Sequence, residues 1–382
     1  MLRVDVRPEL YRWARRRARL GVGSLTKRFP KLEAWEAGSA QPTLKQLEAF
    51  ASATHTPVGF LLLPAPPVES IPIPDFRTMG STPIEQPSAD LLDTIYVCQQ
   101  RQEWYRDYAR SSGLRVVPFV GSARLGADVV ATANTIRETL QIDLDARRRA
   151  RTWEEALRSL YAHADDAGIL AMCSGIVLSN THRKLDPSEF RGFALADDVA
   201  PLVFVNGADS KSAQMFTLAH ELVHLWLGQS ALSSADARTF AGMATERWCN
   251  QVAAELLVPI AAVRAQYDPQ AGTQDEMMRL ARTFKVSTLV MLRRLHDIGA
   301  LTLSAFRAAY DIELERLTTI PAKGGGGDFH LTEAVRVSRR FARAIVDSTL
   351  EGQTLYRDAF RMLGFSKLET FREFGHSLGV TY

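Results

Sequence analysis

Apolar residues recur at helical spacing through most of the chain and cluster at strand-like density in only two stretches. From Pro8 to Leu20, Leu10, Trp13, Ala14 and Ala18 fall along one side, with proline at the start, which predicts a first helix. Gly21-Val22-Gly23 breaks it. Ser24 then caps a short helix through Phe29, and Lys31 to Ala37 forms another that Gly38 stops. Pro42-Thr43 opens a fourth, Leu44 to Thr54, with Leu44, Leu47, Phe50 and Ala51 inward.

Pro57 to Pro87 carries eight prolines around the apolar run Val58-Gly-Phe-Leu-Leu-Leu63. Proline fixes φ and excludes regular helix, so this stretch reads as an extended connector. Phe60, Leu61, Leu62, Ile71, Ile73 and Phe76 are too apolar to stay in water, and the connector is expected to pack on the domain that follows.

Amphipathic helices are predicted over 89–111, 128–140 and 153–167, and strands over 168–177 and 190–206, the latter turning at Asp197-Asp198. Arg147-Arg148-Arg149-Ala150-Arg151 reads as a solvated face between helices. The run Phe216 to Gly228 is apolar nearly all round and predicts a buried helix. A second helix runs from Thr245 into Pro259, and others follow over 275–284 and 287–298. The glycine run Lys323–Gly327 marks a hinge before a small helical appendage. The expected class is α+β, mostly helical, divided as 1–63, a connector 64–88, a central domain 89–322 and an appendage 328–382.

Composition changes the picture in two places. Cys98, Cys173 and Cys249 are scattered and make no disulfide framework, which fits a reducing cytoplasm, and no apolar run approaches membrane-spanning length. The net charge of +3 hides an asymmetry: residues 1–60 hold eleven Lys/Arg against five Asp/Glu, a balance of +6, leaving −3 elsewhere. A basic N-terminal module raises the question of nucleic acid.

The chemistry lies in His220-Glu221-Leu222-Val223-His224. Residues four apart share one helical face, so both imidazoles reach a single ion and leave room for a further ligand. Glu221 stands beside the ion, where a carboxylate can take a proton from water. Hydrogen-bonded histidines on a core helix would show the same letters, but a buried glutamate between them would be costly without a cation.

Together, F-T-L-A-H-E-L-V-H at 216–224 and E-x-x-C-N-x-x-A-A-E-L-L-V-P at 246–259 resemble the ImmA/IrrE family of metallo-endopeptidases. The resemblance implies a zincin-like core with a small sheet beside the active-site helix. It also implies His220, His224 and Glu246 as Zn2+ ligands and Glu221 as general base. Cys249, Asp236 and Glu255 remain alternatives for the third ligand. Ile71-Pro-Ile-Pro-Asp75-Phe76-Arg77 matches a connector of long proteins of this kind. In zincins a strand next to the helix offers its edge to an extended peptide, a role open to the 190–206 sheet.

Leu32-Glu-Ala-Trp-Glu-Ala-Gly38 with Gln41-Pro-Thr-Leu-x-x-Leu47 resembles an XRE-type helix-turn-helix. Only Pro30 separates Phe29 from Lys31, shorter than the usual turn before a groove-reading helix. Lys27, Arg28 and Lys31 are the candidate contacts to duplex DNA. Residues 1–63 equally suit a protein-docking role. The expected function is zinc-dependent cleavage of a regulatory protein, with a helix-turn-helix regulator or cognate toxin as partner and no membrane. The alternative is a DNA-binding or antitoxin-like regulator of a toxin–antitoxin pair whose zinc is mainly structural.

Overall fold

A computed structural model describes residues 3–75, 86–233, 244–319 and 329–380. Among them, 3–72 with 86–96 form one compact unit, and 73–75 with 97–380 form another. The glycine run at 323–327, Asp236, Phe76 and Arg77 lie outside the described residues.

The first unit holds α1 (Pro8–Arg17), α2 (Val22–Thr26), α3 (Leu32–Glu36) and α4 (Leu44–Ala53). Its core is aromatic: Tyr11, Trp35, Phe29 and Phe50 meet edge-on or tilted around buried Leu10, Leu32 and Leu47. Thr43 caps α4 in a reciprocal pair with Gln46, as the sequence suggests. Leu44, expected inward, is exposed, because it sits at the first helical position beyond that cap.

The connector behaves differently from expectation. Val58–Leu62 is a 3-10 helix. Leu61 is fully buried in the N-terminal core and Phe60 packs beside Trp13, but Leu62 is 56% exposed. Further on, Glu69 takes two hydrogen bonds from the Arg17 guanidinium, which also donates to the His55 carbonyl. Residues 58–69 therefore close the first unit; among the described connector residues, Ile73 to Asp75 join the second. Arg17, counted among the basic residues, is buried in that ion pair, and Arg15 is paired with Glu36.

The second unit is mostly helical with a small mixed sheet, an α+β arrangement. Its elements begin with α5 (Ala89–Ser111), which belongs to this unit from Val97 onward, and continue with α6 (Val129–Thr139), α7 (Leu144–Arg149) and α8 (Trp153–Asp166). The strands β1 (Leu170–Ser174), β2 (Ile176–Val177), β3 (Asn180–Lys184), β4 (Gly192–Leu195) and β5 (Leu202–Asn206) follow. Then come α9 (Lys211–Trp226), β6 (Ala231–Ser233) and α10 (Ala244–Leu257). The sheet order is β1-β5-β4-β6, with β1 parallel to β5 and the other two pairings antiparallel; β2 and β3 form a separate hairpin. The strands β4 and β5 are buried at every position, as a sheet covered on both faces requires. From α5, Gln102 donates to the Leu195 and Ala200 carbonyls and so fixes the turn between β4 and β5.

Downstream lie α11 (Ile260–Gln266), α12 (Thr273–Phe284), α13 (Thr288–Asp297) and α14 (Leu303–Thr319). The basic run at 147–151 is not simply solvated. Arg147 is buried and donates to the Leu257 carbonyl, closing the end of α10, and Arg148 lies over the Phe284 ring. The C-terminal residues form α15 (Phe329–Val337), α16 (Arg339–Leu350), α17 (Tyr356–Leu363) and α18 (Leu368–Ser377). The helical appendage expected over 328–382 is interrupted at Ser338, whose φ is 67°. Its hydroxyl instead donates to half-buried Asp165 on α8. α15 and α16 pack on β1, and the Arg101 guanidinium of α5 donates twice to the Met362 carbonyl. These helices belong to the same compact unit as the sheet.

Among the described residues, no helix is long and apolar enough to cross a membrane.

Candidate active site

Helix α9 starts where Ser210 accepts from the Ala213 amide, and every residue from Gln214 to Trp226 is buried. It lies against β4 and β5 on one side and against α8 and α10 on others. Trp226 stacks on Phe119 with ring centroids 4.1 Å apart. The site is thus carried by a rigid element rather than a loop.

The four-residue spacing brings the Nε2 atoms of His220 and His224 to 3.1 Å. From the first turn of α10, Glu246 places Oε2 at 3.3 Å from the His220 nitrogen and Oε1 at 3.1 Å from that of His224. The histidines are fully buried and Glu246 is 5% exposed. One ligand atom from each of the three falls within 4.8 Å of the others, a cluster that could hold a metal ion. Glu246 Oε1 makes no other hydrogen bond among the described residues than its close approach to His224. Such crowding of three donor atoms is compatible with a coordinating set. Two imidazole nitrogens and a carboxylate fit a divalent ion.

The electrostatics agree. Burial works to raise the Glu246 pKa, but the charge and close contact of the two imidazoles outweigh it and hold the group below the usual carboxylate range. Burial works to lower His220, and Glu246 and Glu221 outweigh it, so its pKa rises. For His224, burial prevails and the pKa falls. The Glu246 carboxylate therefore draws positive charge to the His220 side of the cluster.

Glu221 leaves the cluster and turns toward the sheet. It is fully buried; Oε1 accepts from the Ser233 hydroxyl at 2.8 Å, while Oε2 has no hydrogen-bond partner among the described residues. Burial pushes its pKa up to about 8, against the opposing pull of His220 and Ser233. A carboxyl poised near neutrality can both take and return a proton.

Two residues that sequence reasoning missed hold this carboxyl. Ser233, on β6, fixes one oxygen; nothing in Ala231-Leu232-Ser233-Ser234 signals it. Gly192, at the start of β4, lets the strand close on α9. A Cβ there would lie 2.6 Å from Thr217 Cγ2, 2.9 Å from the Phe204 carbonyl oxygen and 3.0 Å from Glu221 Oε1. A glycine inside an apolar strand pattern was the available signal. Gly192→Ala is expected to cost about 1–3 kcal/mol of stability through overpacking. Urea unfolding with an unchanged slope checks this; a midpoint equal to that of the wild type would contradict it.

The alternatives for the third ligand are placed elsewhere. Cys249 Sγ lies 3.9 Å from His224 Nδ1, on the other side of the ring from the cluster, and burial raises its pKa. Glu255 is ion-paired with buried Arg294 at 2.9 Å and accepts from the Ile260 amide. Asp236 lies outside the described residues. In the first unit, Lys27, Arg28 and Lys31 are all exposed around the turn between α2 and α3, and Arg28 lies over the Phe29 ring.

Residues 164–296 match the IrrE N-terminal-like domain, a peptidase family. That span is about a third of the chain and contains His220, Glu221, His224, Glu246, Gly192 and Ser233. It supports a metallopeptidase of the ImmA/IrrE type. Residues 337–377, which include α16, α17 and α18, match a domain of unknown function, DUF8813. No curated protein and no solved structure matches the chain. The first unit and the segment 73–75 lie outside both IrrE-like and C-terminal matches.

Proposed function

We propose that the chain is a zinc-dependent endopeptidase that cleaves a regulatory protein, with His220, His224 and Glu246 as the metal ligands. The observation that supports it most is a lone buried carboxyl, Glu221, held by Ser233 at the margin of a convergent His/His/Glu cluster. Two histidines and a glutamate are a donor set of catalytic zinc sites. When bound, such an ion polarises a carbonyl and acidifies water. The chain's own residues supply the rest. Ser233 fixes Glu221 Oε1, leaving Oε2 to receive a proton from attacking water and pass it to the departing amine. The packing that buries α9 keeps the carboxyl from bulk solvent, which holds its proton affinity high.

The basic first unit, with Lys27, Arg28 and Lys31 exposed, supports docking of a helix-turn-helix regulator, a cognate toxin or duplex DNA. A second reading, a DNA-binding or antitoxin-like regulator with structural zinc, is favoured by the same exposed charge.

Chelation separates the two. Purified full-length chain added to a lysate of its source cells is expected to generate new protein N-termini, read by mass spectrometry. They should disappear with 1,10-phenanthroline and return with added Zn2+. No new N-termini, or a chelator-insensitive set, would favour the regulator.

A further inference from the structure

The sheet ends at β6, and its outer edge is filled by the chain's own connector. β6 pairs with β4 with Gly192 opposite Ser233, Phe193 opposite Leu232 and Ala194 opposite Ala231. The Leu232 amide turns away from β4 and donates to the Pro74 carbonyl at 2.9 Å, and Asp75 bridges to Leu232 in the parallel sense. Ile73 is buried (8% exposed) and Pro74 is exposed, the alternation of an added strand. The next residue of β6 is Ser233, whose hydroxyl holds Glu221. Residues 73–75 therefore lie along the edge that leads to the candidate general base.

This strap grips weakly by construction. In a parallel pair the nitrogen and the carbonyl of one residue face the same neighbour. Pro74 accepts from Leu232 but has no proton to donate back. A peptide with an ordinary residue at that place would gain a ladder bond that the strap lacks. An extended peptide added to an open edge takes its affinity from such main-chain bonds and its selectivity from alternate side chains.

We propose that the outer edge of β6 is the docking edge for an extended peptide segment with an apolar side chain at the Ile73 place, and that residues 73–75 occupy it in cis and must leave first. The proposal rests on reading the neighbouring site as a peptidase. It adds to that reading a register and a built-in competitor that follows directly on the first unit in the chain.

The test uses full-length protein carrying Glu221→Gln, with and without Ile73→Asp. The probe is the labelled synthetic peptide Glu-Ser-Ile-Pro-Ile-Ala-Asp, which is the strap sequence with alanine in place of Pro74. Ile73→Asp should tighten probe binding by at least about tenfold in fluorescence polarisation. It should also speed exchange of the Leu232 amide by about tenfold or more, with β4–β5 amides unchanged and protection restored by the probe. Pro74→Ala, which keeps Ile73, should instead slow Leu232 exchange and weaken probe binding. Equal or absent probe binding in both proteins, or faster exchange across β4 and β5 as well, would overturn the proposal. If Ile73→Asp fails to fold, unchanged or faster Leu232 exchange in Pro74→Ala overturns it. Binding needs no turnover. Probe binding without any cleavage by the wild type would count against the peptidase reading and leave the docking edge standing.

Discussion

Replacing His220 with alanine is expected to strip the purified chain of stoichiometric divalent metal. The reason is geometric. His220, His224 and Glu246 each bring one possible donor within 4.8 Å of the others, and the described residues bring no fourth His, Cys, Asp or Glu donor to that cluster. Loss of an outer-shell partner typically costs about 10–100-fold in metal affinity, and loss of one donor in three should exceed that. Elemental analysis of natively purified protein checks this, with chelator competition to rank the variants. Cys249→Ser is the control: its sulfur faces His224 Nδ1, away from the cluster, so metal content should hold. His220→Ala protein that still carries one ion per chain would show that the ligand set is wrong.

Changing Glu221 to glutamine should lower turnover by roughly 10²–10⁴, the usual share of a positioned acid–base group. The amide keeps the shape, and its oxygen can still accept from Ser233. The other end becomes an NH2 that cannot take a proton from water. Glu221 is not among the clustered ligand atoms, so metal content should match the wild type. The loss should fall on kcat rather than KM, since the group acts on the reacting proton and not on the peptide. A variant that keeps wild-type kcat would remove Glu221 from the chemistry.

The sequence exposed what rests on short-range periodicity. Both histidines and Glu221 were readable because a four-residue spacing is a helical face and α9 is a strong buried helix. Glu246 was readable as a member of the candidate cluster only through its resemblance to a family motif, because α9 and α10 meet through tertiary packing that spacing cannot encode. The helices of the first unit were found within a few residues, since caps and glycine stops are local signals. The connector was misjudged for the opposite reason. Its apolar content showed that it must pack, but not on what: Leu61 and Glu69 turn back to the N-terminal helices, while Ile73 to Asp75 pair with β6. β6 was missed altogether, being three residues that pair only at long range. Ser233 was missed with it. The basic run at 147–151 misled because an arginine written among charges can still be buried when a helix end offers it a carbonyl, as Leu257 does for Arg147.

The proposed function places proteolysis on Glu221, beside a metal held by His220, His224 and Glu246. The most direct measurement expresses wild-type and Glu221→Gln chains in parallel in the source cells, deleted for their own copy, and identifies new protein N-termini by mass spectrometry while metal content is measured on each purified protein. One or a few cleaved proteins are expected with the wild type, none with Glu221→Gln, and equal metal in both. The same N-termini in both strains, with metal retained, would contradict it.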